Sequence, residues 1–173
     1  MTQTEIALFC RNEAQGLAEA VSHLCKQLET LNDIHLPITL HLLENGSEDQ
    51  TPHIAEQLAQ TLKGPFEIQA HLHLPPGKSR TWNYFLSIAT APHLIFLDAD
   101  IQLEDHCLEL LLRKLSQEPQ LALVGAIPTL APNFQPETFW QSVFALPYSA
   151  IAPAHSLAGG AYGAQRHLLQ PMP

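Results

Sequence analysis

The chain has 173 residues, of which 46% are hydrophobic, and a formal net charge of −9 at pH 7. That length suits one domain with a sizeable core, and we expect a single domain. The acidic excess argues against nucleic acid as a partner, because a surface that binds nucleic acid must attract phosphates. No apolar run reaches the roughly 20 residues that span a bilayer, and no signal-peptide pattern is present, so we expect a cytoplasmic protein.

The apolar pattern alternates between strands and helices. Short apolar runs at 6–10 and 38–45 predict two strands, and the helical spacing of apolar residues over 17–31 and 54–62 predicts a helix after each strand. The sequence SEDQ at 47–50 has the spacing of a capping box, which predicts that its serine caps the second helix.

The same alternation continues through three further strands. Residues 66–74 alternate as a strand and are followed by a helix over 82–89, and the run 93–98 predicts a fourth strand. A fourth helix is expected over 108–115 and a fifth strand over 121–126. Repeated strand, helix and strand units predict an α/β fold with a mainly parallel sheet covered by helices on both faces.

Composition changes after residue 118. Residues 119–173 hold eight of the fourteen prolines, and their only formal charges are Glu137 and Arg166. Five aromatic residues of this segment need apolar surroundings: Phe134, Phe139, Trp140, Phe144 and Tyr148. We therefore expect 119–173 to be covered by further chain, by a second copy of the protein or by a membrane surface at the cytoplasmic face.

The cysteines and histidines do not predict a metal site. Cys10, Cys25 and Cys107 are widely spaced without a Cys-x-x-Cys pair, which is typical of reduced core thiols. Ten histidines are present, but those on predicted helices have no ligand partner four residues later.

Polar clusters follow three of the predicted strands, at residues 11–13, 44–49 and 98–100. Ligands of parallel sheets bind beyond the carboxyl ends of the strands, so we expect the clusters to meet in one crevice. Because strand side chains alternate, Asp98 and Asp100 are expected on the same side. Paired carboxylates suit Mg²⁺ or Mn²⁺, whose coordination phosphate oxygens of a substrate complete.

Basic residues precede the third predicted helix and are expected to contact those phosphates. They are Lys78 and Arg80, close to a helix N-terminus that itself favours anions. Ordinary structural roles stay open for several of these residues. An Asp-x-Asp pair also occurs in turns, Glu44 and Asn45 precede a turn-forming Gly-Ser, and Asn83 suits either a ligand contact or a buried hydrogen bond.

Taken in order, the motifs resemble those of the family 2 glycosyltransferases, over nearly the whole chain. The segments IALFCRNEAQGL, LLENGSEDQT and GKSRTWNYFLSIATAPHLIFLDAD are similar to the family's first strand and Asn-Glu loop, its acidic second loop, and its basic loop with the Asp-x-Asp strand. The resemblance implies the GT-A fold, a divalent metal, and transfer of a sugar from a nucleotide diphosphate to an acceptor, which the sequence leaves unidentified.

The resemblance also implies roles for individual residues. Phe9, Arg11 and Glu13 would lie around the base and ribose, and Glu44 would contact the base edge. The first aspartate of the Asp-x-Asp pair would serve ribose or metal, and the second would bind metal. Asn83 joins Lys78 and Arg80 among the expected nucleotide-binding residues. Phe9 replaces a common proline, and Glu44 and its neighbour stand where two aspartates are frequent.

The expected acceptor half is incomplete. The segment LAGGAYGAQRHLL at 157–169 is similar to the family strand beside the acceptor. The acidic general base of an inverting transfer comes after that segment, so we expect it beyond Pro173 and assign no catalytic residue. Residues 1–118 would form the donor half and 119–173 the incomplete acceptor half, and the chain alone is expected to transfer sugar weakly or not at all.

Three other functions fit parts of the sequence. A haloacid dehalogenase-type phosphatase also has an Asp-x-Asp after a strand, but it needs a later lysine and a further acidic pair. After Asp100 the chain has Lys114 as its only lysine and Asp105 as its only aspartate. A sugar nucleotidyltransferase would need a Gly-rich basic loop after the first strand. The third alternative is a nucleotide-sugar binding module without catalysis.

Overall fold

The computed structural model describes residues 4–31, 37–126 and 160–172. Its elements, in chain order, are β1 (Thr4–Cys10), α1 (Leu17–Glu29), β2 (Ile38–Glu44), α2 (Thr51–Thr61), β3 (Phe66–His71), α3 (Lys78–Ile88), β4 (His93–Asp98), α4 (Cys107–Gln117), β5 (Leu123–Gly125) and β6 (Ala161–Gln165). A 3₁₀ turn over Arg166–Leu168 follows β6. The predicted alternation of strands and helices is confirmed.

The strands form one six-stranded sheet in the order β3-β2-β1-β4-β6-β5. Strands β1 to β4 are mutually parallel, whereas β6 runs antiparallel to both β4 and β5. The predicted α/β class with a mainly parallel sheet is therefore confirmed. From β1 the chain continues to β2 and β3 on one side of β1, and then crosses to β4 on the other side. The boundary between β1 and β4 is therefore the topological switch point, where such sheets bind ligands.

Hydrophobic side chains cover both faces of the sheet. In β1, Ile6 and Leu8 pack in the core formed with α1, α2 and α4, whereas Ala7 and Phe9 pack in the core formed with α3. This alternation follows from the two-residue period of a strand. Burial on both faces explains why β1 and β2 read as nearly continuous apolar runs.

Aromatic rings attach α3 and β6 to β4. Phe96, which is completely buried, stacks on Trp82 at 5.4 Å and on Tyr162 at 4.8 Å, and Phe85 meets it edge-on at 5.4 Å. The Trp82 indole N–H donates to the Tyr162 hydroxyl at 2.9 Å. Aromatic pairs of this kind contribute about 0.5–1.5 kcal/mol each beyond their burial, so the start of α3 is held firmly against the sheet.

Two local expectations are wrong. The Ser47 hydroxyl accepts a hydrogen bond from the Asn12 backbone N–H at 3.0 Å, so it does not cap α2, whose N-cap residue is Gln50. Helix α3 begins at Lys78, which places Lys78 and Arg80 inside its first turn. Gly77 has φ 128°, a conformation that side chains rarely adopt, and this glycine lets the chain turn into the helix there.

The five aromatic residues expected to need a cover, from Phe134 to Tyr148, lie outside the described residues. Within the described ranges, no helix has the length and apolar character needed to cross a membrane.

Candidate functional site

The three polar clusters follow strands that end at the same level of the sheet. Phe9 is paired in register with Asp98, and Cys10 with Glu44. Two further hydrogen bonds extend the pairing beyond the strand ends, from Ala99 N–H to the Phe9 carbonyl at 3.1 Å and from Asn45 N–H to the Cys10 carbonyl at 3.2 Å. The clusters therefore border one edge of the sheet, as expected.

Reciprocal hydrogen bonds join the loop after β1 to the loop after β2. The Asn12 N–H donates to Ser47 Oγ at 3.0 Å, while Asn12 Oδ1 accepts from the Glu48 N–H at 2.9 Å. The Glu13 N–H donates to Thr51 Oγ1 at 2.8 Å. These bonds fix the backbone that carries Glu13, which is half-buried; Arg11 lies exposed in the same loop.

Carboxylates concentrate where β1 and β4 end. Partial burial and the negative charges of Asp100, Asp49 and Asp98 raise the pKa of Glu13. Asp98 is partly exposed and Asp100 is exposed, whereas Ala99 between them is buried. Strand β4 ends at Asp98 and residues 99–100 form a turn, so the expectation that the two carboxylates lie on the same side stays a prediction. A divalent cation would reduce the repulsion between these neighbouring carboxylates. The Asp98 and Asp100 carboxylates therefore fit Mg²⁺ or Mn²⁺.

The protein alone does not complete such a site. Across residues 4–31, 37–126 and 160–172, no group of three or more His, Cys, Asp or Glu side chains is placed to hold a metal ion. A cation at the aspartate pair would take its remaining ligands from water and from substrate phosphates, which is how Mg²⁺ is commonly bound in phosphate sites.

A cationic side chain lies over the same edge. Lys78 Nζ is 2.6 Å from Asp98 Oδ2 and 5.8 Å from the centre of the Phe9 ring. The Phe9 side chain itself is only 7% exposed. Arg80 is exposed one residue beyond Ser79 in the same helical turn. The first turn of α3 therefore combines two basic side chains with the positive end of a helix dipole, a suitable surface for phosphate.

Glu44 is enclosed by the loops around it. Its carboxylate is completely buried, with Oε1 accepting from the Ser47 N–H at 2.6 Å and Oε2 from the His73 N–H at 2.7 Å. Burial by itself would raise the pKa of Glu44, but the hydrogen bonds from these backbone groups outweigh it and hold the pKa below its usual value. A contact between Glu44 and a base edge stays a prediction.

Asn83 has a structural partner that its sequence context did not identify. Its Nδ2 donates to the Met172 carbonyl at 2.8 Å, and its Oδ1 accepts from the Met172 N–H at 2.7 Å. Arg166 also reaches α3, donating to the carbonyls of Leu86 and Ala89 at 3.1 and 3.3 Å. Residues 166–172 thus run along α3, and a nucleotide contact by Asn83 stays a prediction.

A pocket of about 370 Å³ opens beside the acidic cluster on the α1 side of the sheet. It is lined by the site carboxylates Glu13, Asp98 and Asp100, by Glu19 and His23 of α1, and by residues 101–103. The pocket shows that the acidic cluster is accessible to small polar ligands.

Comparisons with known proteins identify the family and the fold of this chain. The family model of Glycosyl transferase family 2 matches residues 6–145. Glucosyl-3-phosphoglycerate synthase from Mycobacterium tuberculosis, solved with uridine diphosphate, is 17% identical with a TM-score of 0.62, over 97% of this chain and 58% of that one. The mannosyltransferase PcManGT from Pyrobaculum calidifontis, solved with GDP-Man and Mn²⁺, is 18% identical with a TM-score of 0.67, over 95% of this chain and 45% of that one.

S. aureus TarS 1–349 is more distant, at 16% identity and a TM-score of 0.55, over 78% of this chain and 37% of that one. The chain thus spans less than two thirds of the length of each of these structures. No curated protein sequence matches it. The structural likeness shows the GT-A fold, and the family model covers most of the sequence, so the chain belongs to glycosyl transferase family 2.

Proposed function

We propose that this chain binds a nucleotide-diphospho-sugar through a divalent cation and serves transfer of the sugar to an acceptor hydroxyl with inversion at the sugar carbon. The observation that carries the proposal is that Lys78 contacts Asp98 at the β1–β4 switch point, beside a pocket that Asp98 and Asp100 both line. Carboxylates for a metal and an ammonium for phosphate at one sheet edge are the groups that an anionic, metal-bound donor requires.

The described residues supply the donor side of such a reaction. Lys78 and the first turn of α3 would bind and orient the diphosphate, and Asp98 and Asp100 would hold the cation. Bound Mn²⁺ or Mg²⁺ would neutralise charge that develops on the leaving diphosphate. An inverting transfer also needs a base that removes the acceptor proton, and we leave that role unassigned.

Two structural relatives support this donor class, because one was solved with uridine diphosphate and the other with GDP-Man and Mn²⁺. The two relatives were solved with different nucleotides, so they support the donor class and not one base or sugar.

Calorimetry of residues 1–173 with UDP, GDP and ADP, each in Mn²⁺ and in EDTA, tests the binding step. We expect micromolar to millimolar affinity for at least one nucleotide in Mn²⁺ and much weaker binding in EDTA. Absence of binding in Mn²⁺ would refute the proposal. Nucleotide release from the matching sugar donor tests the chemistry, and we expect residues 1–173 to release nucleotide slowly. Tight binding with no release at all, either to water or to any acceptor, would favour a nucleotide-sugar binding module.

The proposal includes a cytoplasmic location, with residues 119–173 contacting a membrane surface or a second copy of the chain. Its support is compositional, since this segment holds eight prolines and only two formal charges. Light scattering and flotation with anionic and neutral vesicles test it. A protein that remains monomeric and stays off both kinds of vesicle would contradict it.

A further inference from the structure

Glu44 occupies the position from which the family resemblance implies contact with the base, yet its carboxylate has no exposed surface. Both oxygens accept backbone N–H groups, one from each neighbouring loop. A buried carboxylate whose charge is already satisfied in this way stabilises the loops that enclose it. A side chain beside Glu44 that reaches the surface of the crevice is therefore better placed to contact the base than Glu44 itself.

His73 is such a side chain. Its imidazole is 79% exposed, and Nδ1 lies 3.9 Å from Glu44 Oε2. The residue adopts φ 57°, in the left-handed region that is uncommon for residues other than glycine. Backbone strain of this kind persists where surrounding interactions hold it, and it concentrates at functional sites.

Glu44 provides the interactions that hold His73. Its side chain accepts the His73 N–H at 2.7 Å, and its backbone carbonyl accepts the next N–H, from Leu74, at 3.0 Å. On the other side of the turn, a Cβ at Gly46 would lie 3.3 Å from Pro76, so the two loops are in close contact. The position of the imidazole is therefore set by Glu44.

The imidazole lies on the side of the crevice where a base would be expected. Lys78 and Asp98 mark the phosphate end at β1 and β4, and the sheet continues from β1 through β2 to β3, which His73 follows. Neighbouring strands are about 4.8 Å apart. A nucleotide with its diphosphate at Lys78 can thus extend along the sheet edge toward His73.

We propose that the His73 imidazole contacts the nucleobase of the donor, and that Glu44 is a positioning residue that holds His73 at the rim of the crevice. This inference rests on the proposed function. Bases stack on aromatic side chains, histidine among them, and a ring nitrogen can also hydrogen-bond a base edge. Stacking is tolerant of base identity, so His73 would strengthen binding of several nucleotides.

Calorimetry in Mn²⁺ with UDP, GDP and inorganic pyrophosphate separates a base contact from a phosphate contact. The variant His73→Asn removes the ring but tolerates the left-handed backbone and keeps the N–H that Glu44 accepts. We expect its affinity for both nucleotides to fall about 5- to 30-fold and its affinity for pyrophosphate to stay unchanged. His53→Asn, at an exposed position of α2, is the matched control and should bind all three as the wild type does.

The variant Glu44→Gln tests the positioning role, with thermal melting as the check on folding. Its amide offers one acceptor oxygen where the carboxylate offers two, so the His73 loop should loosen and nucleotide affinity should fall while pyrophosphate affinity is kept. The double variant should lose no more than the larger single loss, because both changes act through one ring. A change in the UDP-to-GDP preference when Glu44→Gln is added to His73→Asn would show direct base contact by Glu44 and overturn the positioning role.

The result for His73→Asn stands without the Glu44 variant. Unchanged nucleotide affinity, or an equal loss for pyrophosphate, would overturn the base contact. If the wild type binds UDP, GDP and pyrophosphate in Mn²⁺, such a result for His73→Asn would overturn the base contact alone and leave the proposed function intact. If the wild type binds none of them and does not bind ADP either, both proposals fall together.

Discussion

Lys78 donates a hydrogen bond to Asp98, with 2.6 Å between Nζ and Oδ2. The ammonium group of Lys78 therefore contacts a carboxylate that we expect to bind a metal ion. The two side chains are 53% and 27% exposed. A pair so open to solvent contributes at most about 1 kcal/mol, and opening it is therefore easy. We infer that Lys78 neutralises Asp98 in the free protein and turns to the diphosphate when a metal and nucleotide bind.

Replacing Lys78 separates these two roles. Lys78→Met should bind Mn²⁺ alone more tightly, because Asp98 loses a competing cation. The same variant should bind nucleotide diphosphates about 10- to 100-fold more weakly, since a charge-assisted contact to phosphate is gone. Calorimetry with Mn²⁺ and then with nucleotide measures both effects. Lys114→Met, which removes an exposed ion pair with Glu118, is the control. Weaker binding of Mn²⁺ by Lys78→Met would contradict the exchange.

Asp100→Asn tests the metal role of the Asp-x-Asp pair. The amide keeps the shape of the side chain but removes a charged oxygen ligand, so nucleotide diphosphate affinity should fall strongly in Mn²⁺ and little in EDTA. Titrations of one nucleotide under both conditions give the comparison. Asp105→Asn, at an exposed position before α4, should change neither. Equal losses in Mn²⁺ and EDTA would rule out metal binding by Asp100.

Sequence periodicity predicted the strands and the polar clusters at their ends because both depend on local order along the chain. Asp98 is the last residue of β4, so its place at the sheet edge needed no distant information. The partners of Glu44 and Asn83 are different, since His73 is 29 residues from Glu44 and Met172 is 89 residues from Asn83. No spacing rule connects such pairs, so hydrogen bonds to the backbone of a distant loop were not foreseen.

The sequence also did not predict that β6 runs antiparallel to its neighbours. Strand pairing direction depends on how the chain returns to the sheet, and the composition of residues 161–165 does not encode that direction. Arg166 was the one residue whose type indicated that this segment packs against the rest of the domain. It is the only lysine or arginine after Lys114, and a lone cation in an apolar segment is expected to need a fixed partner.

Arg166 should contribute measurably to stability. Its guanidinium donates to the carbonyls of Leu86 and Ala89 at the C-terminal end of α3, where unpaired carbonyls carry negative partial charge. Arg166→Met should lower the free energy of unfolding by about 1–3 kcal/mol. Urea unfolding followed by circular dichroism measures the change. Arg113→Met, at an exposed position of α4, should stay within about 0.5 kcal/mol of the wild type, and an equally small effect at Arg166 would refute the capping role.

A chain of polar side chains crosses the α3 face of the sheet from β1 to α3. His41 Nδ1 lies 2.9 Å from His71 Nε2, and His71 Nδ1 lies 2.9 Å from the Tyr84 hydroxyl. At the other end, His41 Nε2 is 3.5 Å from Glu5 Oε2. The two imidazole rings stack with their centres 5.2 Å apart. Protonation of both rings would bring two positive charges together in a largely buried place.

This arrangement makes stability depend on pH. Burial and the neighbouring His41 lower the pKa of His71 from its ordinary value. The unfolded chain therefore binds a proton at a higher pH than the folded chain does. Stability from neutral His71 is fully present above the unfolded pKa of about 6.5 and is lost as the pH falls from there toward the folded pKa.

Urea unfolding at a series of pH values tests the prediction for His71. The free energy of unfolding of the wild type should fall as the pH is lowered from about 7.5 to 5.5. His71→Gln, which keeps polar atoms at this position but cannot titrate, should be less stable at pH 7.5 and should lose less on acidification. His53→Gln, at an exposed position of α2, should keep the wild-type slope. If the wild type and His71→Gln give parallel pH profiles, the neutral buried imidazole is not the source of the pH dependence.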